Sequence, residues 1–172
     1  MVNDGPGYLA NGEMKFPADY RDWVFLTSGL DMSYSSDAAP DHSMFNNVFV
    51  NPSAYRAFKA TGHWPEGTVL VLENRGAEGA KSINKRGKTE SSELMGLEVH
   101  VLDSAHVKGG WGFYGFDNQV SGKLIARPAG CYTCHEEHAA VDTTFVQFYP
   151  TLMETAKTKG TLSAAYLKEL KP

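Results

Sequence analysis

The chain has 172 residues, carries 16 Lys and Arg against 20 Asp and Glu for a formal charge of −4, and is 42% apolar. That length suits one well-buried core, since chains divide into separate domains mostly above roughly 250 residues. Mild acidity argues against nucleic acid or an anionic membrane as the main partner. No apolar run approaches the ~20 residues that would cross a bilayer, so a single soluble domain over residues 1–172 is expected, with no membrane partner. Two cysteines are too few for a disulfide scaffold.

The segment up to about Lys15 is rich in Gly and Asn and reads as loose or wrapping. Phe16-Pro17 leads into a short helical turn at Asp19-Tyr20-Arg21-Asp22-Trp23, then a strand at Val24-Phe25-Leu26-Thr27. Residues 28–43 hold Gly29, Ser33, Ser35, Ser36, Asp37, Pro40 and Asp41 and read as a long loop. Asn47-Val48-Phe49-Val50 is a strand that ends at Asn51-Pro52, an N-cap followed by proline at the first helical position. The helix opened there carries Tyr55 and Phe58 and stops at Gly62.

Gly67-Thr68-Val69-Leu70-Val71-Leu72-Glu73 is β-branched and almost continuously apolar, the pattern of a well-buried strand. Residues 75–93 are polar and include Arg75, Lys81, Lys85, Arg86 and Lys88; such a run is a solvated surface or a dock for an acidic redox partner. Leu97, Val99 and Val101 alternate with Glu98 and His100 in a half-buried strand, and Trp111-Gly112-Phe113-Tyr114-Gly115-Phe116 is another strand. Phe145, Phe148, Leu152 and Ala156 lie on helical spacings, with Pro150 as a break or second helix start and Gly160 near a stop. No internal repeat is visible. Strands first and helices last predict an α+β architecture around an antiparallel sheet with flanking helices.

The chemistry concentrates just after Pro128-Ala129-Gly130, at Cys131-Tyr132-Thr133-Cys134-His135. Cys-x-x-Cys-His is the attachment signature of c-type haem. Both thiols add to haem vinyl groups, and the adjacent histidine is held beneath the iron. Haem of this type is attached on the far side of the cytoplasmic membrane, so a periplasmic location is expected. The polar start Val2-Asn3-Asp4-Gly5-Pro6-Gly7 carries no export leader, which fits a signal peptide already removed. Met153 is the one methionine after the motif, and its helical spacing reads as core packing rather than iron ligation. A zinc site on thiols already committed to haem is disfavoured.

In the common small electron-transfer cytochromes c the motif lies near the N-terminus. The four-helix cytochromes c-prime carry it near the C-terminus but should read as amphipathic helices throughout, which the segments around Val48, Val69, Val99 and Phe113 deny. A C-terminal haem motif behind a β-sheet resembles the cytochrome P-460 family, which includes the β-sheet cytochromes called c-prime-beta. The landmarks are Phe16-Pro17 with Tyr20-Arg21-Asp22-Trp23-Val24, Val48-Phe49-Val50-Asn51-Pro52, Thr61-Gly62 and Gly67-Thr68-Val69. Gly96-Leu97-Glu98, Trp111-Gly112-Phe113-Tyr114, the haem motif, Phe145 and Phe148-Tyr149-Pro150 complete the series.

The resemblance implies a homodimer of a mainly antiparallel sheet, with one haem c packed against a face of the sheet and attached near the C-terminus. It makes His135 the metal ligand and Cys131 and Cys134 the attachment points. The other side of the iron is left open to nitric oxide, carbon monoxide or another small nitrogenous ligand. In the hydroxylamine-oxidising branch a lysine is cross-linked to the haem. By the register of Gly67-Thr68-Val69 that position is Leu72, which cannot form the bond and reads instead as an apolar wall. His42 falls where the family caps the iron and reads as a distal hydrogen-bond donor, proton shuttle or sixth ligand, against a loop histidine beside Asp41 in water. Met32 and Met44 are further pocket candidates, each also explicable as packing.

Glu98 reads as a proton relay near the haem or as an exposed carboxylate, and Arg127 as a partner for a haem propionate or an ordinary surface arginine. His138 reads as surface, and His63, His100 and His106 show no ligand-like spacing. Three functions compete. One is a five-coordinate haem protein that captures diatomic ligands. The second is a redox enzyme acting on hydroxylamine, nitric oxide or peroxide through His42 and Glu98. The third is a six-coordinate electron carrier ligated by His42 or a methionine.

Overall fold

The alternation of apolar residues through the middle of the chain resolves into one antiparallel sheet in the computed structural model, which describes residues 4–34 and 42–171. Its strands are β1 (Met14–Lys15), β2 (Val24–Leu30), β3 (Met44–Val50), β4 (Thr68–Gly79), β5 (Lys88–Leu102), β6 (Trp111–Phe116) and β7 (Ser121–Leu124). The spatial order is β1-β7-β6-β5-β4-β3-β2, so each strand from β2 to β7 pairs with the next and β1 closes on β7. Four helices accompany it: α1 (Pro52–Thr61), α2 (Gly130–His138), α3 (Pro150–Lys159) and α4 (Ala164–Glu169). The α+β architecture expected from the sequence is the one observed. Among the described residues no helix is long and apolar enough to cross a membrane.

Because strand side chains alternate between faces, the sheet carries a core on each side. Val69, Val71, Leu97, Val99 and Val101 join Phe49 and Tyr114 on one face, covered by Met14, Tyr20 and other residues of the N-terminal segment. That segment therefore wraps rather than hangs loose: Met14 is buried in register with Gly122, and Tyr8 stacks on His106 at 3.9 Å. On the other face Leu26, Val50 and Leu70 pack with Ala54 and Phe58 of α1 and with Leu152 and Ala156 of α3. Phe58 is fully buried against Trp64, their ring centroids 4.3 Å apart.

Helix α1 starts at Pro52 and ends at Gly62, whose φ of 82° lets its N–H return to the Phe58 carbonyl. Asn51 makes no side-chain cap. Its Oδ1 instead accepts from Val69 N at 2.8 Å and its Nδ2 donates to Gly67 O at 3.0 Å, tying the helix start to β4. The expected loop at 28–43 is shorter than its composition implies, since Ser28–Leu30 continue β2 in register with Phe45–Asn47; its residues 35–41 lie outside the described residues. The polar stretch 75–93 is mostly a long hairpin in which β4 and β5 stay paired as far as Gly79 and Lys88. It is polar because it runs beyond both cores. Phe148 belongs to a short 3-10 turn (Val146–Phe148), and α3 begins afresh at Pro150.

Candidate functional site

A cavity of about 570 Å³ lies between the second face of the sheet and the C-terminal elements, within the ~300–1,000 Å³ range of small-molecule and cofactor sites. Two cross-strand rows form its floor. Thr27, Val48, Leu72 and Glu98 are successive partners in one row, and Leu70, His100 and Phe113 in the next. Facing them are Cys131, Cys134 and His135 of α2, with Phe145, Phe148 and Tyr149.

Helix α2 explains why the motif arrives together. Positions i, i+3 and i+4 share one side of a helix, so Cys131, Cys134 and His135 all line the cavity. Tyr132 is buried, and its hydroxyl donates to Ile125 O at 2.8 Å while its ring meets Phe113 edge-on. The two cysteines form no disulfide. Burial, followed by the nearby Glu137 carboxylate, pushes the Cys134 thiol up.

His135 is held on three sides by aromatic rings, with Phe145 at 4.1 Å, Phe113 at 4.8 Å and His100 at 4.9 Å. Its Nδ1 lies 2.7 Å from Thr143 O. A carbonyl can only accept, so Nδ1 carries the proton and Nε2 is the free, lone-pair nitrogen. Burial lowers the His135 pKa against the opposing effect of the Thr143 bond. The result is a neutral imidazole, the form that ligates a metal.

Of the residues singled out by sequence, Leu72, Glu98, Cys131, Cys134 and His135 meet in this cavity. Glu98 stands opposite Leu72 in register, so the polar side of the half-buried strand is cavity wall. Met32 also lines it; Met44 and Met153 do not, and Met153 packs against the core beneath α3. His42 is exposed and is not among the described lining residues. Arg127 is not among the described lining residues: its guanidinium pairs with Glu136 at 2.7 Å and lies 4.1 Å over the Tyr132 ring.

His63, His106 and His138 are engaged with Asp142, Asp103 and Glu169 respectively. His100 was missed. It is 8% exposed, stacks on Phe113 at 4.1 Å with 8° between planes, and burial pushes its pKa well below the ordinary histidine value, with His135 adding to the effect. The available signal was its place two residues beyond Glu98, on the same strand face.

The family model described as cytochrome P460 matches residues 17–146, well over half of the chain and inclusive of α2. The chain belongs to the cytochrome P460 family. No curated protein matches it. As a member of the cytochrome P460 family it is a haem cytochrome, and the cavity fits that group. Its wall is mainly apolar, it presents two thiols, and it offers one neutral imidazole whose second nitrogen is already tied to the backbone. Among the described lining residues there is no lysine, and the aliphatic Leu72 is part of the wall.

Proposed function

We propose that this member of the cytochrome P460 family is a periplasmic mono-haem c-type cytochrome that captures nitric oxide, carbon monoxide or a similar small ligand. Cys131 and Cys134 would hold the haem through their thiols, and His135 Nε2 would ligate its iron. When bound, the haem supplies an iron coordination position open to small ligands. The protein's part is to orient the imidazole through Thr143 and to line the cavity with Val48, Leu70 and Leu72. The observation that carries this reading is the pairing of that backbone-tied imidazole with an aliphatic, lysine-free wall at Leu72. A homodimer and docking of a redox partner protein belong to the same proposal.

Two wall residues support the alternatives. Glu98 could hold a proton for a redox reaction on hydroxylamine, nitric oxide or peroxide, and Met32 offers a thioether for a six-coordinate electron carrier. One ultraviolet-visible experiment separates them. The reduced protein is expected to show a five-coordinate high-spin spectrum whose Soret band shifts on adding carbon monoxide. A low-spin spectrum that does not respond to millimolar carbon monoxide selects the electron carrier. Steady turnover of hydroxylamine with an electron acceptor selects the enzyme.

A further inference from the structure

The carbonyl that receives His135 Nδ1 sits on a strained turn. Asp142 and Thr143 are consecutive non-glycine residues with φ of 48° and 60°. Aspartate visits this left-handed region comparatively readily, but a β-branched threonine is a true outlier there. The strain is not offset through the threonine's own side chain, because the Thr143 hydroxyl is buried without a hydrogen-bond partner among the described residues. What the conformation does achieve is to aim Thr143 O at His135, at 2.7 Å.

A clamp from a distant part of the chain holds the turn in place. The Asp142 carboxylate accepts from Trp64 N at 3.0 Å, and His63 Nδ1 lies 3.0 Å from each of its oxygens. Trp64 Nε1 donates to Thr144 Oγ1 at 2.8 Å, and that hydroxyl donates to Val141 O at 2.7 Å. Trp64 itself is anchored on Phe58 in the core. The connection between α1 and β4 therefore grips the turn on both flanks of Thr143. Strained backbone persists only where its surroundings over-determine it, and such sites cluster where geometry serves function.

We infer that the clamp of His63 and Trp64 on Asp142 sets the strength of the His135–Thr143 hydrogen bond, and through it the donor strength of His135 toward iron. This rests on the reading of His135 as the iron ligand. A hydrogen bond to the far nitrogen of a ligating histidine fixes its tautomer and orientation and raises its basicity. A more basic imidazole favours ferric over ferrous iron. Asp142 is thus a positioning residue, remote in sequence from the motif whose chemistry it tunes.

The test uses haem-loaded protein and two readouts, the midpoint potential and the iron–histidine stretching frequency of the reduced form by resonance Raman. Asp142→Gly keeps the left-handed backbone accessible and removes the carboxylate that His63 and Trp64 N hold, leaving only the Trp64–Thr144 contact. It is expected to raise the potential and lower the stretching frequency, each tenfold gain in ferrous preference corresponding to about 59 mV for one electron. Asp142→Asn retains an acceptor for Trp64 N–H and is expected to stay near wild type. His63→Ala removes one exposed grip and is expected to move both readouts less, in the same direction. A folded Asp142→Gly protein with wild-type potential and stretch overturns the inference. Where that variant does not fold, an unchanged His63→Ala protein overturns it. A wild-type protein that is five-coordinate and high-spin when reduced yet shows no iron–histidine stretch overturns the reading of His135 as well, whereas an unresponsive variant beside a normal wild type sinks the clamp alone.

Discussion

On the proposed function, Leu72 is the residue on which two chemistries part. It sits on the cavity floor between Val48 and Glu98, with no amine to form a third covalent link to a porphyrin. Intact mass spectrometry of the denatured holoprotein is expected to give chain plus haem, and peptide mapping to place every bond to haem at Cys131 and Cys134. A haem-bearing peptide containing Leu72 or a neighbouring lysine would contradict this. Cys131, Cys134 and His135 were legible in the sequence because their spacing is dictated by one turn of helix. His100 was not, because its relation to His135 exists only through strand register and a stack on Phe113. Arg127 lies just before the motif in sequence, yet its described partners are Glu136 and the Tyr132 ring, and His42 is exposed, so sequence position alone did not place either side chain on the cavity wall.

At the scale of elements, β4 presents Leu72 to the cavity and Glu73 to the opposite face. Glu73 is fully buried and receives Tyr20 OH, Arg21 Nη1, Asn47 Nδ2 and the Arg75 guanidinium, which binds the N-terminal turn to the strand. Burial pushes this carboxyl up, but hydrogen bonds from Arg75, Tyr20 and Asn47 outweigh it and hold the pKa at about 2. The folded state keeps the carboxylate ionised to lower pH than the unfolded chain does. Its contribution is therefore complete above the ordinary value of 4.5 and is lost as pH falls toward 2. The pH-dependent part is on the order of 3 kcal/mol. Guanidinium denaturation at pH 6 and pH 3 is expected to show the greater part of that loss, about 2 kcal/mol, in wild type and a much smaller one in Glu73→Gln. The variant is also expected to be less stable at pH 6 by roughly 3–5 kcal/mol, because Arg75 is left facing a neutral group.

Helix α1 and the apolar parts of β4 and β5 were readable from capping and periodicity, which are local. The polar extension of the β4–β5 hairpin was not, since strand pairing beyond the cores leaves no hydrophobic alternation to read. Strand β7 is four residues, two of them exposed, and owes its place to β6 and β1 rather than to its own composition.

For the molecule as a whole, the sheet ends on β2, an edge strand with Phe25 and Leu30 exposed at 51% and 46%. Exposed apolar edges invite pairing. Sedimentation velocity is expected to report two chains per particle, and Phe25→Asp combined with Leu30→Lys to shift the population toward one; a wild-type monomer at all concentrations would count against the dimer.

The two cores are built from different stretches of chain. The one under the N-terminal wrap is complete with residues between Tyr8 and Phe116, whereas the other needs Ala140, Val141, Val146, Tyr149, Leu152 and Ala156 from beyond the haem motif. Stripping the prosthetic group is therefore expected to act lopsidedly. In hydrogen exchange, the amides of Val99 and Val101 stay slow, while those of α2 and of residues 141–148 speed up severalfold. On that expectation one half of this molecule is a scaffold that stands by itself, and the other a door frame that holds its shape best when filled.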